Sequence, residues 1–184
     1  MIQGLCRIIL RLWGWKVVAG EMPDKKAIII GAPHTSIWDY VISWIYYTSV
    51  GGTAHTVIKK EMFFWPLGWL LRKSGAVPVD RSRGASLVKQ IIEEFDKHEK
   101  FHLAITPEGT RKLTKRWKAG FHAIARATGA KVYLGFFDWG RKQIGWYETL
   151  EITDDANADI RRMKAYYRQL GVAGKYPELF TTEE

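Results

Sequence analysis

The sequence predicts an α/β fold: a single layered domain in which a mainly parallel sheet is flanked by helices. Two observations lead there. Short apolar, often β-branched runs at 27–30, 56–58, 77–79, 103–105 and 132–137 read as buried strands. Between them lie longer stretches with apolar residues at spacings of three and four, the period of a helix packed on one face. Strands alternating with helices are joined by crossovers, which lay the strands parallel. A chain of 184 residues is one domain's worth and buries a real core.

The elements follow in order. Residues 2–15 form an amphipathic helix with Ile2, Leu5, Ile9, Leu12 and Trp13 on one side and Arg7 and Arg11 on the other. Such a helix suits a lipid surface, and it also suits packing on its own domain. The strand at 27–30 ends at Gly31-Ala32-Pro33, and Thr35 or Ser36 caps a helix over 37–48. A strand at 56–58 precedes a helical stretch, 61–73, broken near Pro66. After the strand 77–79 comes an amphipathic helix over 86–98 with Leu87, Ile91, Ile92 and Phe95 inward. The strand 103–105 and a helix over 120–128 lead to the strand 132–137, with an antiparallel extension through 143–152. Asp155-Ala156-Asn157 starts a last helix ending near Gly171, and the polar stretch from Lys175 is expected to be loose.

Composition narrows the function. The net charge of +9 points to an anionic partner: a nucleic acid, an anionic lipid or a phosphorylated substrate. The basic residues are dispersed and no nucleic-acid recognition motif stands out, which argues against nucleic acid. Nine tryptophans are unusual for this length; indoles fill cores and also sit well at membrane interfaces. The single Cys6 excludes an internal disulfide and fits a reducing compartment. No secretory signal is evident, since Arg7 and Arg11 interrupt the only apolar N-terminal run. The longest uncharged stretch, 40–58, contains the loop Thr48-Ser49-Val50-Gly51-Gly52-Thr53 and falls short of the roughly 20 apolar residues a membrane span needs. The uncharged segment 62–71 reads as an acyl-chain groove, an interfacial patch or a plain core helix.

Three segments carry chemistry. In His34-Thr35-Ser36-Ile37-Trp38-Asp39, a strand-to-helix junction brings an imidazole and a carboxylate within reach of each other. A neutral imidazole suits removal of a hydroxyl proton, and a carboxylate on its other nitrogen fixes the tautomer. In Thr106-Pro107-Glu108-Gly109-Thr110-Arg111, a tight loop follows a strand, where α/β folds place ligands. There Arg111 offers a planar fork of donors that matches a phosphate, while a buried Glu108 needs backbone donors or a basic partner. In Gly75-Ala76-Val77-Pro78-Val79-Asp80-Arg81, a short strand again ends in a basic residue, and Arg81 would join Arg111 in a phosphate clamp.

These three segments together resemble the glycerolipid acyltransferase family, whose best-known members are the 1-acylglycerol-3-phosphate acyltransferases. The family's His, four residues, Asp pattern is matched by His34 and Asp39, its Pro-Glu-Gly-Thr-Arg loop by Pro107 to Arg111, and its Gly-to-Arg segment by Gly75 and Arg81. The order and rough separations agree over about 27–140. The sequence departs from the pattern at Pro33, Thr106, Lys112 and Tyr133, where the family has Asn, Phe, Ser and Pro. The resemblance implies a glycerol-phosphate acyltransferase-like core with a short amphipathic N-terminal helix. It divides 1–184 into a membrane-facing helix at 1–20, a catalytic core at 27–152 and a C-terminal helix at 155–171. His34 and Asp39 become the catalytic pair, Arg81, Thr110 and Arg111 the phosphate binders, and Pro107, Glu108 and Gly109 the residues that shape the loop.

The expected reaction moves a fatty acyl group from acyl-CoA or acyl carrier protein to a lysophospholipid hydroxyl. The leading acceptor is 1-acylglycerol-3-phosphate, and the expected place of reaction is the cytoplasmic face of a membrane, with the protein bound peripherally. No cofactor is expected beyond the thioester co-substrate, and no metal, because His55, His98, His102 and His122 lack ligand spacing. The alternatives are another lipid acceptor, a hydrolase using the same His with water, or a non-catalytic module for anionic lipid.

Overall fold

A computed structural model describes residues 2–80 and 84–184, with the side chains of 84–86 left aside. The elements run α1 (Ile2–Leu12), β1 (Lys16–Val17), β2 (Lys26–Ala32), α2 (Ile37–Ser49), β3 (Ala54–Lys59), a 3₁₀ turn (Lys60–Met62), α3 (Leu67–Lys73), β4 (Val77–Val79) and α4 (Gly84–Lys97). They continue with β5 (Phe101–Ile105), α5 (Gly120–Thr128), β6 (Lys131–Asp138), β7 (Gln143–Leu150), α6 (Ala156–Leu170) and a 3₁₀ turn (Pro177–Leu179).

Among the described residues, seven strands form one sheet in the order β1-β7-β6-β2-β5-β3-β4. β2 pairs parallel with β5 on one side and with β6 on the other, in registers that set Ile30 opposite both Ile105 and Leu134. β3 and β4 extend the parallel block, while β7 runs antiparallel to β6 as the sequence predicts. The two-residue β1, paired parallel with β7, was not foreseen; so short a strand leaves no periodic signal.

Alternation along the strands gives the sheet two buried faces. Ile28, Ile30, Leu103, Val132 and Leu134 pack with Ile91 and Phe95 of α4, Phe121 and Ile124 of α5, and Met163 and Tyr167 of α6. Ala27, Tyr133 and Phe137 face the other way, toward Cys6 and Leu10 of α1 and Ile42, Ile45 and Tyr46 of α2. Both faces of a parallel block must be covered, which is why its strands read as continuous apolar runs.

Three expectations need correction. The first helix stops at Leu12, because Gly14 takes a left-handed turn and the Trp15 N–H closes back on the Leu10 carbonyl at 2.9 Å. The segment 62–71 is no core helix: Met62, Phe64, Trp65, Trp69 and Leu70 are all exposed. The chain after Lys175 is anchored, not loose. Phe180 packs on Trp117, Lys164 Nζ donates to the Glu183 carbonyl at 2.6 Å, and Arg168 holds Thr182.

Candidate active site

The site lies where the parallel strands end, the edge at which α/β sheets bind ligands. β2, between β5 and β6, ends at Ala32, so the loop carrying His34 is flanked by the loops that leave β5 and β6. After a cis Ala32–Pro33 peptide, Ser36 caps α2. Its hydroxyl accepts from the Trp38 N–H at 3.2 Å, and the Asp39 carboxylate reaches back to the cap as the other half of a capping box.

Asp39 therefore does more than stand near a histidine. Its Oδ2 accepts from the Thr35 and Ser36 amides, both at 2.7 Å, and its Oδ1 from the Trp139 indole N–H at 2.8 Å. The residue is 1% exposed. His34 Nδ1 sits 3.3 Å from the same Oδ2, at contact distance but off the angle of a formed hydrogen bond, and it has no other partner. Bonds of this kind tighten when substrate closes a site. With Nδ1 turned to the carboxylate, Nε2 is left for a substrate, and the imidazole keeps partial access to solvent.

The second predicted loop meets the first through Glu108. Both its carboxylate oxygens accept from the His34 backbone N–H, at 3.0 and 3.1 Å. Glu108 is 5% exposed, and burial pushes its carboxyl up to about 8; the His34 amide opposes the shift and the Asp39 charge adds to it. The sequence called for backbone donors or a basic partner; the structure supplies one backbone donor from the neighbouring loop. The turn itself is tight. The Gly109 N–H donates to the Thr106 carbonyl at 3.1 Å and the Lys118 N–H to the Pro107 carbonyl at 2.7 Å. Gly109 has φ +64°, and a side chain there would come within 2.8 Å of Lys118.

The phosphate binders are placed less decisively. Arg111 is exposed. The Thr110 hydroxyl accepts from the Lys112 N–H at 3.2 Å and so braces its own turn. Arg81 lies outside the described residues.

Two contributors gave no sequence signal. Trp139 follows β6, in a turn whose Asp138 Oδ1 accepts from the Gly140, Arg141 and Ala173 amides at 3.0 to 3.3 Å. The chain after α6 then crosses the site. The Tyr176 N–H donates to Thr35 Oγ1 at 3.2 Å, and Gly174 lies so close that a Cβ would meet Thr35 at 2.7 Å. Lys175 Nζ sits 4.9 Å from the ring centres of both Trp38 and Trp139. Contacts that span 100 or 141 residues leave no local pattern to read.

Comparison with known proteins bears on the family and the fold. The acyltransferase family model matches residues 17–134, which hold His34, Asp39 and the whole 106–111 loop. No curated protein matches at a significant level. The crystal structure of the 1-acyl-sn-glycerophosphate (LPA) acyltransferase PlsC from Thermotoga maritima shares the fold, with a TM-score of 0.64 and 18% identity over 95% of this chain and 80% of that one. With a family match over well more than half its length, the chain belongs to the acyltransferase family.

Proposed function

We propose that this acyltransferase moves a fatty acyl group from a thioester, acyl-CoA or acyl carrier protein, to the hydroxyl of a lysophospholipid, with 1-acylglycerol-3-phosphate as the leading acceptor. The observation that carries the proposal is the buried Asp39 carboxylate facing His34 Nδ1 at 3.3 Å, beyond the C-terminal end of β2. His34 Nε2 takes the proton of the acceptor hydroxyl, and the oxygen attacks the thioester carbonyl. The C–S bond then breaks, and the thiolate leaves with the proton that His34 returns. Asp39 holds the tautomer and stabilises the imidazolium. Arg81 and Arg111 hold the acceptor's phosphate, with Thr110 and the turn through Pro107, Glu108 and Gly109 shaping the loop that presents it. No cofactor is required beyond the acyl donor. The fold shared with a 1-acyl-sn-glycerophosphate acyltransferase supports this acceptor class.

The reaction belongs at a membrane surface. No helix among the described residues is long and apolar enough to cross a membrane. The exposed Ile2, Leu5, Ile8 and Leu12 of α1, together with Trp65 and Trp69, support peripheral attachment, and the charge of +9 favours the anionic cytoplasmic leaflet. The test is thiol release and lipid product formation from a labelled acyl thioester with 1-acylglycerol-3-phosphate and a panel of other acceptors. Product with a phosphate-bearing acceptor, lost in His34→Ala, is the expected result. Near-normal turnover by His34→Ala overturns the assignment of the base, and thiol release that ignores the acceptor identifies a hydrolase.

A further inference from the structure

We infer that Trp139 is a positioning residue of the reaction, the group that sets the rotation of the Asp39 carboxylate toward His34; this rests on the reading of that pair as base and orienting acid. The two oxygens of Asp39 are divided between different parts of the fold. Oδ2 serves its own loop, through the Thr35 and Ser36 amides, and faces the imidazole. Oδ1 is held by one donor from elsewhere, the Trp139 indole N–H at 2.8 Å. Without that bond the carboxylate can pivot about Oδ2, and the face it shows to Nδ1 is no longer fixed. An indole suits the task because its N–H is a donor only, has no second tautomer and does not titrate near neutral pH.

Trp139 is itself immobilised. Its amide donates to the Ala173 carbonyl at 2.9 Å, its ring meets the edge of Trp15 at 5.0 Å, and Lys175 lies over its face. The same C-terminal strap grips Thr35 through Tyr176. Both attachments come from residues beyond 134, outside the segment that the family model matches. The charged groups around the pair are Glu108 under the His34 amide, Lys175 on the indole, and Asp138, whose carboxylate is engaged by Arg141.

Trp139→Phe in the full chain keeps a ring and deletes the donor. The expected result is a fall in kcat of about ten-fold or more with KM within about two-fold, since only the orientation of the reacting groups is disturbed. The acidic limb of kcat/KM moves to higher pH, because an Oδ1 charge no longer shared with the indole faces the imidazolium more strongly. Trp146→Phe is the control: it also deletes an indole N–H bond, to the Gly20 carbonyl at 3.1 Å, away from Asp39, and leaves kcat and the limb unchanged. An unchanged kcat per folded molecule, or an unmoved limb, in Trp139→Phe overturns the inference. In the wild-type chain, the Trp139 indole ¹⁵N–H resonance titrates with His34, and this step disappears in His34→Ala; a resonance flat through the His34 titration overturns it even if the Phe variant does not fold. Failure of the underlying reading shows separately, as activity retained by His34→Ala.

Discussion

The loop after β2 and the segment leading into α3 solve opposite problems. Around residues 33–39, two buried carboxyl groups gather N–H donors from two parts of the chain onto one small volume: Asp39 takes the Thr35 and Ser36 amides and the Trp139 indole, and Glu108 takes the His34 amide. In residues 62–73 most of the large apolar side chains turn outward, with Trp65 at 87% exposure and Lys73 Nζ stacked over Trp69 at 4.1 Å. The first arrangement holds atoms to a fixed geometry at the cost of burying charge. The second leaves apolar area in water, which a lipid surface would cover. The difference separates a loop whose polar atoms are fixed by buried bonds from a segment whose apolar side chains are left free of the core.

Changing Asp39 should break the first region most completely. In Asp39→Ala three buried N–H donors lose their acceptor and α2 loses its capping box, so stability should fall by about 3 kcal/mol or more. Chemical denaturation measures this, and a loss under 1 kcal/mol would show that the donors find water instead.

Glu108 gives the next effect, and a pH signature. Its folded value of about 8 stands above the ordinary 4.5, so the folded protein holds this proton more tightly than the unfolded chain between those values. Its contribution to stability is fully present below about pH 4.5 and is lost as pH rises through about 8. Glu108→Gln should flatten that part of the profile of Tm against pH. A profile that keeps the wild-type slope would place the effect in other groups.

The smallest change in stability is expected in the second region. Trp65→Ser combined with Trp69→Ser should shift stability by no more than about 0.5 kcal/mol, the range of surface substitutions. The same pair should weaken flotation with anionic vesicles. Undiminished flotation would show that these two indoles do not bind the vesicle.

The same contrast explains what could be read from the sequence. The parallel core was legible because buried strands and one-sided helices repeat with fixed periods; β4, at Val77–Val79, and α5, at Gly120–Thr128, fall where the spacing puts them. His34, Asp39 and Glu108 stood out in the sequence through three segments that together resemble one family's pattern, because the spacing of His34 and Asp39 alone also fits a helix cap beside a loop histidine. Trp139 and the strap at 172–176 were not, since their roles depend on closing 100 or more residues of chain onto one carboxylate. The exposure of residues 62–71 was open to more than one reading, because an apolar run looks the same to sequence whether it faces a core or a membrane.

The central claim is that His34 and Asp39 act as one unit on the acceptor hydroxyl. A double-mutant cycle of His34→Ala, Asp39→Asn and their combination, with kcat/KM measured for acyl transfer to 1-acylglycerol-3-phosphate and folding checked by circular dichroism, tests it most directly. A working unit predicts that each single variant loses most of the activity and that the double variant is hardly worse than His34→Ala alone. Losses that simply multiply, or a His34→Ala enzyme that still turns over, would contradict it.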